Sequence, residues 1–373
     1  MNEGITAITM PKWGLTMTEG KVIGWLKQQG QDFAEGEELL EIETTKITNV
    51  VEAPLGGVLR RIVAPAGTTL PVGALLAVVA PQSISEAEID GFVAGFAAPE
   101  IAAEGTIDGE GPTPSTLEAG GWRIRYLELG GGELVPVLLL HGFGADLNTW
   151  MFTQPALAEA HRVVALDLPG HGGSVKEVGA GDAEHLTDAV EHAMTALGVE
   201  RVHIVGHSMG GAIAASLALR RPDRVASLTL IASAGLGPEI NGAFIEGFVR
   251  ASRRREAVEI LNMLVCEPSL ISRTMVEDIL RYKRLDGVSA ALSRIGEAWF
   301  AGGRQSLQLG EGIAMLPMPV QVIWGREDRI IPVAHASALG SPVPVHIIDQ
   351  AGHLPHMEKA GEVNRLLNRF FQE

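Results

Sequence analysis

Two apolar patterns divide the chain. Over residues 1–80, short runs alternate apolar and polar positions, and the pattern repeats. A shift of 37 positions sets Val22 on Leu59, Trp25 on Ile62, Gly30 on Gly67, Phe33 on Leu70, Gly36 on Gly73, Leu39 on Leu76 and Ile42 on Val79. Alternating runs punctuated by glycine predict short strands joined by turns. Two copies of such a unit predict a small all-β sandwich with pseudo-twofold symmetry. From residue 121 the apolar runs become continuous: Val135–Leu140, His161–Leu166, Val202–Val205, Leu228–Ala232, Val320–Trp324 and Val345–Ile348. Helical stretches lie among them, including Ala212–Arg220 and an amphipathic segment at 358–373. Strands apolar on both faces, alternating with helices, predict a mostly parallel sheet covered on both sides. Residues 237–316 interrupt this rhythm with helical sequence alone.

Between the two patterns lies a third kind of sequence. Ser85-x-x-Glu88 reads as a capping box, and Ile89, Phe92, Val93 and Phe96 then fall on one stripe of a short helix near 86–98. That stripe has two possible destinations, a partner subunit or one of this chain's own domains. Residues 81–120 hold eight Asp/Glu and no Lys or Arg, half of the net charge of −16. With Pro81, Pro99, Pro112 and Pro114, the stretch reads as a self-repelling linker. The expected organisation is therefore a β domain over 1–80, a linker over 81–120 and an α/β domain over 121–373.

Composition adds exclusions. With 46% apolar and 20% charged residues, the chain reads as folded and not disordered. No apolar run has the length of a membrane span, and the acidic-polar N-terminus does not read as a secretory signal. The negative charge argues against nucleic acid as a partner. Cys266, the single cysteine, rules out an internal disulfide framework and a Cys-rich metal site, and fits a reducing cytoplasm. No membrane partner and no metal are expected.

The candidate chemistry sits at the ends of the continuous runs. Gly206-His207-Ser208-Met209-Gly210 is G-x-S-x-G between a strand and a helix, the setting of a nucleophile elbow. Asp328, in Gly325-Arg326-Glu327-Asp328, and His353, after the last strand, follow in the order Ser, Asp, His. Glu327 is the alternative acid. Upstream, His141-Gly142-Phe143-Gly144 offers a second backbone N–H. His141, His171 and His207 read as structural contacts around tight loops, and Asp349 and His356 as helix-start and loop residues.

These motifs carry resemblances. MPKWGLTMTEG, the internal repeat and Glu43-Thr44-Thr45-Lys46 at its centre resemble the lipoyl domains of the 2-oxo-acid dehydrogenase family. That resemblance implies that Lys46 carries lipoic acid in amide linkage. Biotin carriers share the fold but place Met on both sides of the lysine. Residues 121–373 resemble the α/β-hydrolase superfamily. The implied roles are Ser208 as nucleophile, His353 as general base and later acid, and Asp328 as the residue that orients the imidazole. The N–H groups of Phe143 and Met209 match the oxyanion hole, and 237–316 matches the cap.

The combination resembles the acyltransferase (E2) component of acetoin dehydrogenase complexes. The resemblance implies acetyl transfer from the lipoyl arm to coenzyme A. It also implies two partners, a thiamine-diphosphate-dependent acetoin-cleaving E1 and a flavin-dependent dihydrolipoyl dehydrogenase. The usual E2 motif H-x-x-x-D-G is absent from this sequence, so transfer would use Ser208. Arg253-Arg254-Arg255 and Arg281-x-Lys283-Arg284 read either as a landing site for coenzyme A or as solvated helix faces. Two other readings remain: a thioesterase or esterase anchored to a complex by its lipoyl module, and a scaffold in which only Lys46 matters.

Overall fold

The computed structural model describes residues 4–11, 17, 19–44, 48–96, 112–340 and 342–372. They form two compact units divided in the sequence between positions 111 and 112.

The first unit contains β1 (Thr6–Thr9), β2 (Glu19–Trp25), β3 (Asp32–Phe33), β4 (Glu38–Glu43), β5 (Thr48–Glu52), β6 (Gly57–Ile62), β7 (Thr69–Pro71) and β8 (Leu75–Val79). They make two four-stranded antiparallel sheets, ordered β1-β8-β6-β3 and β5-β4-β2-β7. The 37-residue shift carries β2 onto β6, β3 onto β7 and β4 onto β8. With β5 standing for β1, it turns one strand order into the other. The sequence repeat is therefore the symmetry of the sandwich. Its repeat mates meet inside: Val22 and Leu59, Leu39 and Leu76, and Ile42 and Val79 share one buried cluster. Burying each such side chain favours folding by about 1.5–3 kcal/mol. The β4–β5 ladder ends at the pair Glu43 and Thr48. Lys46 belongs to the connection between those strands and lies outside the described residues.

Helix α1 (Glu86–Gly95) begins at a complete capping box. The Ser85 N–H donates to Glu88 Oε2 at 2.9 Å, and the Glu88 N–H donates to Ser85 Oγ at 3.3 Å. Ile89 is fully buried against Leu75 and Val78, with Phe92, Val93 and Phe96 around it. Arg60 and Arg61 donate to Glu86 at 2.6 and 2.7 Å, and Arg61 donates to Asp90 at 2.7 Å. Of the two destinations open to the apolar stripe, the helix takes the chain's own strand β8.

The second unit contains β9 (Ser115–Ala119), β10 (Trp122–Leu129), β11 (Val137–Leu140), β12 (Val163–Leu166), β13 (Val202–His207), β14 (Val225–Ile231), β15 (Val320–Gly325) and β16 (Val345–Ile348). They form one sheet, β16-β15-β14-β13-β11-β12-β10-β9, parallel except for the antiparallel β10 and β9 at one edge. Between and after the strands run α2 (Gln154–Ala158), α3 (Ala183–Ala196), α4 (Met209–Arg220), α5 (Gly242–Arg250), α6 (Arg254–Leu261), α7 (Arg273–Lys283), α8 (Val288–Phe300), α9 (Gly310–Ile313), α10 (Pro355–Glu358) and α11 (Ala360–Phe370). Every residue of β11, β12, β13 and β15 is buried, so both faces of the sheet are covered. On one face, Leu138, Leu140, Ile204 and Leu228 pack with residues of α3 and α4. On the other, His203 stacks on Phe371, just past α11. Helices α5 to α9 occupy the interval between β14 and β15 and fall within 237–316, the stretch expected as the cap. No helix among the described residues is long and apolar enough to cross a membrane.

Candidate active site

Strand β13 ends at His207 and α4 begins at Met209, leaving Ser208 alone in the turn at φ 52°, ψ −119°. A non-glycine residue held there stores roughly 1–3 kcal/mol of backbone strain. The surroundings fix it. The Ser208 N–H donates to Ile231 O at 2.9 Å, and its carbonyl accepts from Gly211 and Ala234 at 3.0 Å each. A Cβ on Gly206 would stand 2.3 Å from Gly210 O, and one on Gly210 would stand 2.4 Å from the carbonyls of Leu140 and His141. Both glycines of the motif are thus demanded by backbone approach.

His353 and Asp328 are brought together from the ends of neighbouring strands. His353 Nδ1 lies 2.8 Å from Asp328 Oδ2, and both side chains are buried. The other Asp328 oxygen accepts from the N–H groups of Ile330 at 2.8 Å and Ile331 at 3.0 Å. With Nδ1–H donating to the carboxylate, Nε2 is the nitrogen whose lone pair can accept a proton. Glu327, the alternative acid, turns elsewhere and accepts from the Ala351 N–H at 3.1 Å. Asp349 pairs with Arg326 at the surface.

The Gly142 backbone passes beside the serine, since a Cβ there would lie 3.0 Å from Ser208 Cβ. Phe143 is the next residue. Met209 is the first residue of α4, where an N–H has no intrahelical acceptor. His141 holds the loop: its Nδ1 donates to Gly142 O at 2.8 Å, and its Nε2 accepts from the Leu168 N–H at 2.9 Å. Burial pushes its pKa down, which suits a neutral ring that both donates and accepts. His171 donates to Pro169 O at 3.0 Å and sits edge-on to His141 and Phe143, its pKa driven well down by burial. The Phe143 ring also meets Phe248 of α5 and Phe300 of α8, each at 6.0 Å between centroids. Phe143 therefore joins the backbone loop to the cap, a role its motif does not announce.

Three further contacts were not evident from the sequence. His207 Nε2 donates to His353 O at 2.8 Å. The His353 N–H donates to Leu264 O of the cap at 2.7 Å. Arg329, next to Asp328, donates to Val265 O at 2.8 Å. Glu358 Oε1 accepts from the Gly352 N–H at 2.8 Å, and an acidic residue in a first helical turn is too common to signal this.

The basic cluster of the cap is largely committed. Arg254 pairs with Glu277 at 3.5 Å, Arg255 with Glu259 at 3.0 Å and Arg281 with Asp278 at 2.9 Å, all on exposed helix faces. Lys283 donates to the carbonyls of Phe248 and Ala251. Tyr282 donates to Gly170 O at 2.8 Å, tying α7 to the loop after β12. Among the described residues, no group of three or more His, Cys, Asp or Glu is placed to hold a metal ion.

Residues 135–360 match the family model for the alpha/beta hydrolase fold, and residues 6–79 the model for biotin-requiring enzymes. The dihydrolipoyllysine-residue acetyltransferase component of the acetoin cleaving system of Pseudomonas putida is 46% identical over 369 residues, 99% of each chain. The component of the same name from Cupriavidus necator is 45% identical, over 98% of this chain and 97% of its own. The chain belongs to this family. These acetyltransferase components match both units, whereas several hydrolase relatives match about two thirds of the chain. A 2-hydroxy-6-oxononadienedioate/2-hydroxy-6-oxononatrienedioate hydrolase of Cupriavidus pinatubonensis is 31% identical over 67% of this chain and 90% of its own. The structure of 2-hydroxy-6-oxo-6-phenylhexa-2,4-dienoate hydrolase from a Rhodococcus species aligns with TM-score 0.65 at 26% identity, covering 70% of this chain and 99% of that one.

Proposed function

We propose that this member of the acetyltransferase family moves an acetyl group from a lipoyl thioester to coenzyme A through Ser208, His353 and Asp328. The observation that carries the reading is the buried 2.8 Å pair of His353 and Asp328 on the same sheet end as the strained Ser208 elbow. His353 Nε2 takes the Ser208 proton as Oγ attacks the thioester carbonyl. The N–H groups of Phe143 and Met209 stabilise the oxyanion; losing one such donor typically costs about 2.7–4 kcal/mol at the transition state. Collapse expels a thiolate, which takes the proton from His353 and leaves Ser208 acetylated. His353 then deprotonates the thiol of coenzyme A, the sulfur attacks the acyl-serine, and the proton returns to Ser208 as the new thioester leaves.

Lys46 is the proposed lipoyl attachment site. The β4–β5 ladder supports it, because its last pair, Glu43 and Thr48, brackets the connection containing Lys46, and Glu43 is exposed. Lipoic acid bound there would supply a cyclic disulfide whose opened, dithiol form carries acyl groups as thioesters. Its tether raises the effective concentration of the thioester for Ser208. The proposed partners are an acetoin-cleaving thiamine-diphosphate enzyme and a flavin-dependent dihydrolipoyl dehydrogenase. The cycle uses coenzyme A under reducing conditions, which fits the cytoplasm.

The test is to supply acetyl-dihydrolipoamide and coenzyme A to the purified chain and to Ser208→Ala. Acetyl-CoA from the first and none from the second is the expected result. Free acetate alone at saturating coenzyme A would favour the second reading, a hydrolase, which the likeness of the C-terminal unit to hydrolases supports. Equal acetyl-CoA from both would mean a route without Ser208.

A further inference from the structure

Glu358 ends α10 with its side chain turned inward, and the residue is only 8% exposed. Its Oε1 accepts from the N–H groups of Gly352 at 2.8 Å and Leu354 at 3.3 Å, the residues on either side of His353. Its Oε2 accepts from the N–H of Cys266, in the cap, at 2.7 Å. The same cap segment receives the His353 N–H at Leu264 O, and Arg329 at Val265 O and, at 3.3 Å, Cys266 O. The two segments are in close contact, since a Cβ on Gly352 would lie 2.8 Å from Leu264 O and 2.9 Å from Cys266 N.

We propose that Glu358 is a positioning residue for His353, its ionised carboxylate binding both flanks of the histidine to the cap segment and so fixing where the imidazole stands. The proposal rests on the reading of Ser208, His353 and Asp328 as the acyl-transfer triad. A carboxylate fits the task because it only accepts, and three donors converge on it. A carboxyl or amide there would turn a donor toward N–H groups, and the loop would shift. A displacement of about 1 Å is enough to slow such chemistry roughly a hundredfold.

The charge is poised. Burial first, and the charge of Asp328 as well, push the Glu358 pKa up to about 7, against the pull of the three N–H groups. The other titratable or charged groups at this corner are Glu327 and Arg329 beside Asp328, Cys266 and Glu267 on the cap segment, and His353 and His356 on the loop and helix. Protonating Glu358 therefore disarms the site as the pH falls through about 7.

The experiment measures the rate at which a serine-directed phosphonate labels the full chain between pH 5.5 and 8.5. In the wild type the rate is expected to fall as the pH drops through about 7, where Glu358 takes its proton. Glu358→Gln is expected to label about tenfold to a hundredfold more slowly at pH 8, and to lose the part of the fall that Glu358 causes. Glu358→Asp keeps the charge, and is expected to label at an intermediate rate and to keep a fall of its own. A Gln variant within twofold of the wild type and with the same profile overturns the proposal. If the Gln variant does not fold, an Asp variant that labels at the wild-type rate throughout this pH range overturns it. Labelling of Ser208→Ala would instead overturn the triad reading, leaving the positioning question distinct.

Discussion

The His207 imidazole donates from Nε2 to the backbone carbonyl of His353 at 2.8 Å, and the two rings lie 4.8 Å apart. The residue before the candidate nucleophile thus holds the peptide of the candidate base. His207→Phe keeps the ring and removes the donor, leaving a buried carbonyl unpaired. It should cost about 1–3 kcal/mol of stability and slow phosphonate labelling. Urea denaturation and labelling kinetics check both, and a variant unchanged in each would remove His207 from this role.

The elbow makes a prediction about stability against activity. Ser208 has φ 52°, a region glycine enters freely. Ser208→Ala retains the strain, whereas Ser208→Gly relieves it. The glycine variant should therefore be the more stable of the two by about 1 kcal/mol, after allowing for its greater unfolded-state freedom. Neither should be labelled. Chemical denaturation decides, and an alanine variant of equal or greater stability would contradict the strain.

Acid should destabilise the protein. Burial lowers the pKa values of His141, His171 and His207, and takes His203 to about 4 and His356 to about 3. Below pH 6.5 the unfolded chain therefore binds protons that the folded chain refuses, and stability falls with pH. At pH 5, His203 and His356 alone each account for a loss of about 2 kcal/mol. Glu358 opposes this, because its folded value of about 7 lies above the ordinary 4.5 and the folded chain protonates it first. Burial also lowers the pKa of His346 and raises that of Asp146, so six histidines stand against two carboxyls, and the urea midpoint should drop between pH 7 and 5. A flat or rising midpoint would contradict the assignment.

Helix α1 should behave as part of the N-terminal unit. Ile89→Ala removes a fully buried side chain and should destabilise that unit by about 2–3 kcal/mol. Calorimetry of the full chain should show this in one transition only. A loss in the transition of the C-terminal unit, or none at all, would count against the docking.

Lipoyl attachment is checked by mass. The tryptic peptide containing Lys46 should carry a lipoyl group after growth with lipoate, and Lys46→Arg should lack it. An unmodified Lys46 in cells with active lipoate ligation would remove the carrier role.

Much of this architecture could be read in the sequence. The Val22–Leu59 and Leu39–Leu76 pairings became the sandwich symmetry, because a repeated fold needs its apolar positions repeated. Each continuous apolar run became a parallel strand, because strands covered on both faces tolerate few polar residues. Strand β9 lies inside the stretch expected as linker, and β10 carries no such signal. In Trp122–Leu129 only Ile124 and Leu127 are buried, so no run marks the edge of the sheet. The candidate triad of Ser208, Asp328 and His353 could be assembled by motif and order. Glu358 and Leu264 could not, since they act through backbone groups, and a backbone partner leaves no trace in residue type.

One bond described above carries a wider consequence. The His353 N–H is satisfied by the carbonyl of Leu264, a cap residue. Lifting that corner of the cap would leave the N–H without its partner and free the loop that carries the candidate base. On the acyl-transfer reading proposed above, a site opened there to bulk water would also be a site without a working base. Such a coupling would protect an acyl-serine from hydrolysis by making exposure and reactivity mutually exclusive.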